Sequence, residues 1–245
     1  MTERYYIGNQ GAKVGDKVVL NRGESHHLSC VMRVNEGDVV CLFGAGKEFE
    51  GIVRKLRPAV EIEITKERTP IPPPRIALTV AFPWLRGGKS EWVLQKLTEL
   101  GVERVILFQS NRSVARGDEA KFQRLEKIAI ESCKQCERSD VPLICQMASF
   151  SNLLSLATEL GPTVLLAERS SAPLLSRSLK DIIPVELSRR CPLVIISGPE
   201  GGFTPEEIEA AKERVTFASL GPRILRADLA PLVGATVALA MAGDL

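Results

Sequence analysis

The stretch LVIISGPEGGFTPEEIEAAKERVTFASLGPRILR, Leu193 to Arg226, holds in order a strand, a glycine turn, a helix start, a second strand and an arginine-bearing loop. Leu193 to Ile196 is a short, β-branched apolar run of the kind that fills an interior strand. Gly198-Pro199-Glu200-Gly201-Gly202 follows it, and glycines let the backbone approach where a Cβ would intrude. Such a turn either punctuates the chain or brings main-chain N–H groups against a flat or anionic ligand. Thr204 and Glu207 then form T-x-x-E with Pro205 at the first helical position, a capping box that starts a helix.

Outward from this stretch the same alternation recurs. Strands are expected at Ile76 to Ala81, Val105 to Gln109, Leu143 to Met147, Thr163 to Ala167, Leu193 to Ile196 and Phe217 to Leu220, with helices between them. Strands alternating with helices predict an α/β fold with a largely parallel sheet covered on both faces. In such sheets ligands sit at the carboxyl ends of strands. Leu166-Ala167-Glu168, the Gly198 turn and the Gly221 loop all fall at such ends, so three loops can build one pocket.

Thr69 to Pro74, TPIPPP, can continue neither a sheet nor a helix and reads as a connector over 70–74, between units 1–69 and 75–245. The first unit carries β-type runs, KVVL, DVVCLF, EFEGIVRKL and AVEIEIT, with Gly44-Ala45-Gly46 as a hairpin turn. A small β-barrel or sandwich is expected there, interrupted by a helix near Ser25 to Arg33.

Composition sets limits on function. The chain has 245 residues, 44% apolar and 25% charged, with 32 Lys plus Arg against 30 acids. Net charge therefore announces no nucleic-acid partner; if RNA binds, the cations must be clustered. Six cysteines in a chain able to build a sizeable core need not be a disulfide framework, and a cytoplasmic setting is expected. No leader pattern is seen, and the apolar run near Leu229 to Ala242 is too short and alanine-rich to span a bilayer. That run predicts a buried last helix, packed in the core or against a second subunit.

Spacing decides how the remaining motifs read. His26 and His27 are neighbours that point apart on a helix, with no cysteine or carboxylate cluster beside them, so no metal is expected. Gly87-Gly88-Lys89-Ser90 resembles the end of a phosphate loop, but Pro83 stands where that motif needs glycine. Cys133 and Cys136 fall on a helical apolar face with Phe122, Leu125 and Ala129. The opposite face carries Arg124, Lys127, Glu131, Lys134 and Arg138, either a solvated face or a phosphate track.

At GPEGGF and LGPRILR the chain resembles the bacterial 16S ribosomal RNA methyltransferases that modify uridine N3, members of the SPOUT superfamily. His26-His27-Leu28 through Arg33, Lys96 with TELGV, Arg112-Ser113-Val114, and Glu131 through Gln135 to Arg138 are similar to that family's other motifs, in the same order. The resemblance implies a PUA-like β-barrel that helps hold RNA and a SPOUT-type domain with a deep trefoil knot. It implies S-adenosylmethionine held by Leu166, Ala167, Glu168, Gly198, Glu200, Gly201, Gly202, Ser219, Leu220, Gly221, Ile224 and Leu225. It also implies a homodimer acting on 16S ribosomal RNA in the small subunit.

Where the family has TETA, this chain has Ala227-Asp228-Leu229-Ala230. Methylating uridine N3 requires a proton acceptor and donors for the resulting anion. Asp228 is the expected acceptor, with Arg223 or Arg226 as donors and Arg4 contributing from the barrel; the competing reading of Asp228 is an N-cap of the last helix. His26, Arg33, Arg112, Lys134 and Arg138 are the expected RNA contacts. The altered run also leaves open a non-catalytic RNA-binding or ribosome-assembly factor with the same fold.

Overall fold

The computed structural model describes residues 3–168, 172–184 and 190–245. They form two compact units, Met1–Pro73 with Ile130–Val141, and Pro74–Ala129 with Pro142–Leu245. The proline-rich run ends the first stretch of chain, but 130–141 returns to the first unit, which nothing in its local pattern announces.

In the first unit, β1 (Arg4–Tyr6), β2 (Lys17–Val19), β3 (Val39–Gly44), β4 (Lys47–Lys55) and β5 (Glu61–Arg68) form one sheet of order β1-β3-β4-β5-β2. β1 runs parallel to β3 and the other pairs are antiparallel. The β3–β4 turn puts both central residues at positive φ, Ala45 at 51° and Gly46 at 73°, the twist that suits a two-residue hairpin. No β1–β2 pairing closes this sheet among the described residues. The helical segment begins earlier than expected, as α1 (Arg22–His26) followed by a π-helical turn over His27–Val31. Asn21 causes this, because its side-chain oxygen accepts from the Glu24 N–H and caps the first turn. Leu28 then enters a core with Tyr5, Leu42, Phe49, Val53 and Ile62.

The second unit matches the expected alternation. β6 (Ile76–Pro83), β7 (Arg104–Phe108), β8 (Leu143–Met147), β9 (Thr163–Leu166), β10 (Cys191–Ile196) and β11 (Thr216–Ala218) pair in parallel throughout, in the order β11-β9-β10-β6-β7-β8. The connecting helices are α2 (Lys89–Glu99), α3 (Glu119–Gln135), α4 (Phe150–Leu160), α5 (Leu175–Lys180), α6 (Pro205–Ala211) and α7 (Ala230–Ala242). Alternate strand residues face opposite ways. Ala81, Ile106, Phe108, Leu165, Val194 and Ile196 pack with Phe150, Leu153, Leu154 and Ala157 of α4 and Ala211 of α6. α7 covers β6 and β10 and also touches α2 and α5.

The capping box is present: the Thr204 hydroxyl accepts from the Glu207 N–H, and the Glu207 carboxylate accepts from the Thr204 N–H. The buried Glu207 also accepts from the Asn111 N–H at 2.9 Å and the Ser110 hydroxyl at 3.3 Å. One residue thus starts α6 and ties down the loop after β7. α7 buries Leu232, Ala235, Ala238 and Leu239, while Val233, Val237 and Met241 are only half-buried. No helix among the described residues is long and apolar enough to cross a membrane.

Candidate active site

Two adjoining pockets open at the carboxyl ends of the parallel strands. The first, a cavity of about 290 Å³, is walled by the chain leaving β9 (Leu166, Ala167, Glu168), β10 (Ser197, Gly198) and β11 (Ser219 to Ile224, Leu225). These three strands are sheet neighbours, so their loops converge without any long excursion. The β11 loop is held by two local devices. Leu174 bridges to Ser219, with the Ser219 N–H donating to the Pro173 carbonyl at 2.8 Å. Gly221, at φ 110°, turns its N–H onto the Ser219 hydroxyl at 3.1 Å. Only glycine adopts that backbone conformation without strain.

The Gly198 turn stands against Phe203, where an added Cβ would lie 3.0 Å from the ring. Arg112 braces the same turn, donating from Nη1 to the Gly201 carbonyl at 3.0 Å. Ser197 Oγ is fully buried beside the cavity without a partner among the described residues. A buried hydroxyl left unpaired is costly, and a ligand that pairs with it recovers that cost.

The second pocket, about 340 Å³, shares Glu168, Ile224, Leu225 and Ala227 with the first and adds Lys89, Glu200, Arg226 and Asp228. Lys89 Nζ lies 3.2 Å from Asp228 Oδ2, and the Asp228 side chain is 19% exposed. Asp228 Oδ1 is buried with no hydrogen-bond partner among the described residues. Leu229, not Asp228, is the N-cap of α7, and no side chain caps that helix. The capping reading of Asp228 therefore fails. Its spacing makes Lys89 the tail of an incomplete phosphate loop, and only the contact with Asp228 in the fold places it on a pocket.

The expected RNA contacts divide. His26 and Arg33 are exposed on the first unit. Arg112 is exposed, but its guanidinium holds the Gly198 turn. Lys134 and Arg138 are drawn inward instead. Lys134 Nζ sits 2.6 Å from the buried Glu24 carboxylate, and Arg138 donates from two nitrogens to Asp140. Burial pushes the Glu24 carboxyl upward against the pull of Lys134, while Glu131 and Glu24 hold the Lys134 ammonium up against its own burial. Arg4 is likewise internal to the first unit, bound to Glu48 and Ser139 and lining neither pocket. Cys133 is buried and its thiol is pushed up to about 12 by burial, so it is no thiolate nucleophile. No cluster of metal-ligating side chains occurs among the described residues.

A parallel sheet with two adjoining pockets at its strand ends, one of them bearing a carboxylate, describes a domain of α/β class built to hold a ligand. A family profile described as an RNA methyltransferase domain matches residues 72–239. The ribosomal RNA small subunit methyltransferase E of Bacillus subtilis is 37% identical over 94% of this chain and 93% of its own length. That of Synechocystis is 30% identical over 91% and 71%. The chain belongs to this methyltransferase family. Among solved structures, ribosomal RNA small subunit methyltransferase E of Neisseria gonorrhoeae bound to S-adenosyl methionine is 28% identical, with a TM-score of 0.81 over 96% of each chain. A Legionella pneumophila protein in complex with bound SAM is 25% identical, with a TM-score of 0.84 over 98% of each chain.

Proposed function

We propose that this chain methylates N3 of a uridine in 16S ribosomal RNA, using S-adenosylmethionine. The observation that carries the reading is the pairing of the strand-end cavity with the Asp228 pocket that opens beside it. The residues present fit the cofactor: Leu166, Leu220, Ile224 and Leu225 offer apolar walls for adenine, Glu168 a carboxylate for a ribose diol, and Ser197 an unpaired hydroxyl. When bound, S-adenosylmethionine supplies an electrophilic methyl group on a sulfonium, which needs no metal.

The protein's part is to align the ring and manage its proton. Asp228 accepts the N3 proton as nitrogen becomes nucleophilic, and Arg226 donates to the charge that spreads onto the ring oxygens. Arg223, exposed on the wall of the first cavity, is the alternative donor. Arg4 is left out of the chemistry because Glu48 and Ser139 engage it. We assign the first unit as PUA-like, with His26 and Arg33 toward RNA, and the second as a trefoil-knotted SPOUT domain. The half-buried Val233, Val237 and Met241 on α7 support a homodimer through that helix.

The test is nucleoside mass spectrometry of ribosomal RNA after incubating undermethylated small subunits with the protein and labelled cofactor. One 3-methyluridine is expected. A methyl group on ribose or on another base overturns the assignment.

Gly221 gives a separate check on the cofactor site. Gly221→Ala forces a Cβ onto φ 110°, although nothing lies within 4 Å of it. Strain of about 1–3 kcal/mol in that loop should weaken S-adenosylmethionine binding roughly tenfold. Calorimetry reads this directly, and an unchanged Kd would remove the loop from the cofactor site.

A further inference from the structure

We infer that the second pocket is the binding site for the target uracil ring, and that Lys89, with Asp228 and Arg226, reads its imide edge. The inference rests on the uridine reading above and adds to it the ring's location and the residue that selects it.

The pocket's charge decides what kind of group it takes. Its wall carries three carboxylates, Glu168, Glu200 and Asp228, against two cations, Lys89 and Arg226. A phosphate would meet net negative charge there, so the pocket suits a neutral ring with polar edges rather than the RNA backbone. The rest of its lining is apolar, from Ile224, Leu225 and Ala227. Because those residues also wall the first cavity, a ring held here lies beside whatever occupies that cavity.

The edge chemistry then identifies the ring. Uracil presents acceptor, donor, acceptor at O4, N3–H and O2. The complementary wall is donor, acceptor, donor. Lys89 Nζ stands 3.2 Å from Asp228 Oδ2, which already sets one donor beside one acceptor, and Arg226 lines the same pocket and can supply the other donor. The Asp228 carboxylate also has spare capacity, since Oδ1 has no partner among the described residues. Asp χ2 is a broad, two-fold torsion, so a rotation of the carboxylate turns an oxygen to N3–H without moving backbone.

Cytosine cannot satisfy this wall. In either orientation of the ring its exocyclic amine would face a cation, Lys89 or Arg226, donor against donor, and its N3 would face a carboxylate, acceptor against acceptor. Sites built to hydrogen-bond one edge reject the wrong one strongly, because their own polar groups are left unpaired. Lys89 thus has two effects: it holds Asp228 in place, and it excludes cytidine.

The experiment compares wild-type protein with Lys89→Met on small subunits carrying the mapped uridine or a cytidine in its place. S-adenosylmethionine affinity is measured by calorimetry and folding by the melting temperature. Wild type is expected to label uridine and spare cytidine. Lys89→Met should lose at least about tenfold in kcat/KM for uridine and narrow the uridine-to-cytidine ratio at least about tenfold, with cofactor Kd and melting temperature close to wild type. An unchanged ratio overturns the inference. So does a tenfold weaker cofactor Kd, which would assign the pocket to the amino-acid end of S-adenosylmethionine. Wild-type protein that labels no uridine refutes the underlying function instead, so the two failures are distinct.

Discussion

Asp228→Asn should lower single-turnover methylation by about 10²–10⁴-fold, the usual contribution of a positioned general base. Asparagine keeps the size and the polar contacts of the site but cannot take up a proton. Because Asp228 does not cap α7, the substitution removes no helix cap and the melting temperature should barely move. The side chain lies on the second pocket and not among the residues of the first, so S-adenosylmethionine affinity should stay within about threefold, under 1 kcal/mol. Rapid-quench kinetics at saturating cofactor isolates the chemical step from product release. A rate within twofold of wild type would show that water, not this carboxylate, carries the proton.

The second large effect concerns Arg4. Arg4 Nη1 lies 2.5 Å from Glu48 Oε2, each side chain only 9% exposed, with further bonds to Ser139 Oγ and the Arg138 carbonyl. Glu48→Ala should destabilise the protein by about 3–5 kcal/mol, because it leaves a buried guanidinium without its counter-charge. The double variant Arg4→Met, Glu48→Leu should recover most of that loss, since a buried pair replaced by apolar groups is often near neutral. Urea denaturation at constant m reads both. Activity of the folded double variant then separates structure from chemistry. Near-normal turnover is expected, and a loss comparable to that of Asp228→Asn would return Arg4 to the reaction.

These two residues also mark how far the sequence could be read. The parallel strands were legible because most are apolar-rich runs ended by turn chemistry, and the capping box at Thr204 and Glu207 was legible because its spacing is local. The insertion of β10 between β9 and β6 was not, since an interior parallel strand carries the same apolar pattern whichever neighbours it has. Lys134 and Arg138 show a related limit. Helical spacing says which side chains share a face, but not that Glu24 comes to meet one of them or that Asp140 folds back onto the other. Asp228 could be read from its place after RILR. Lys89 could not, because its partner lies at the far end of the unit and only the folded sheet brings the two together.

That strand order also governs the sequence of events during synthesis. β6, β7 and β8 are adjacent and leave the ribosome consecutively, so they can pair as they emerge. β9 cannot join them directly, because both of its partners, β10 and β11, are translated after it. The nascent chain must therefore carry β9 as an unpaired apolar segment until β10 arrives to dock between it and β6. Non-local parallel pairings of this kind form slowly and leave sheet edges exposed meanwhile. Both pockets take walls from β9 onward, as far as Ala230, so binding competence arises only after β9, β10 and the loop beyond β11 have all been made and docked.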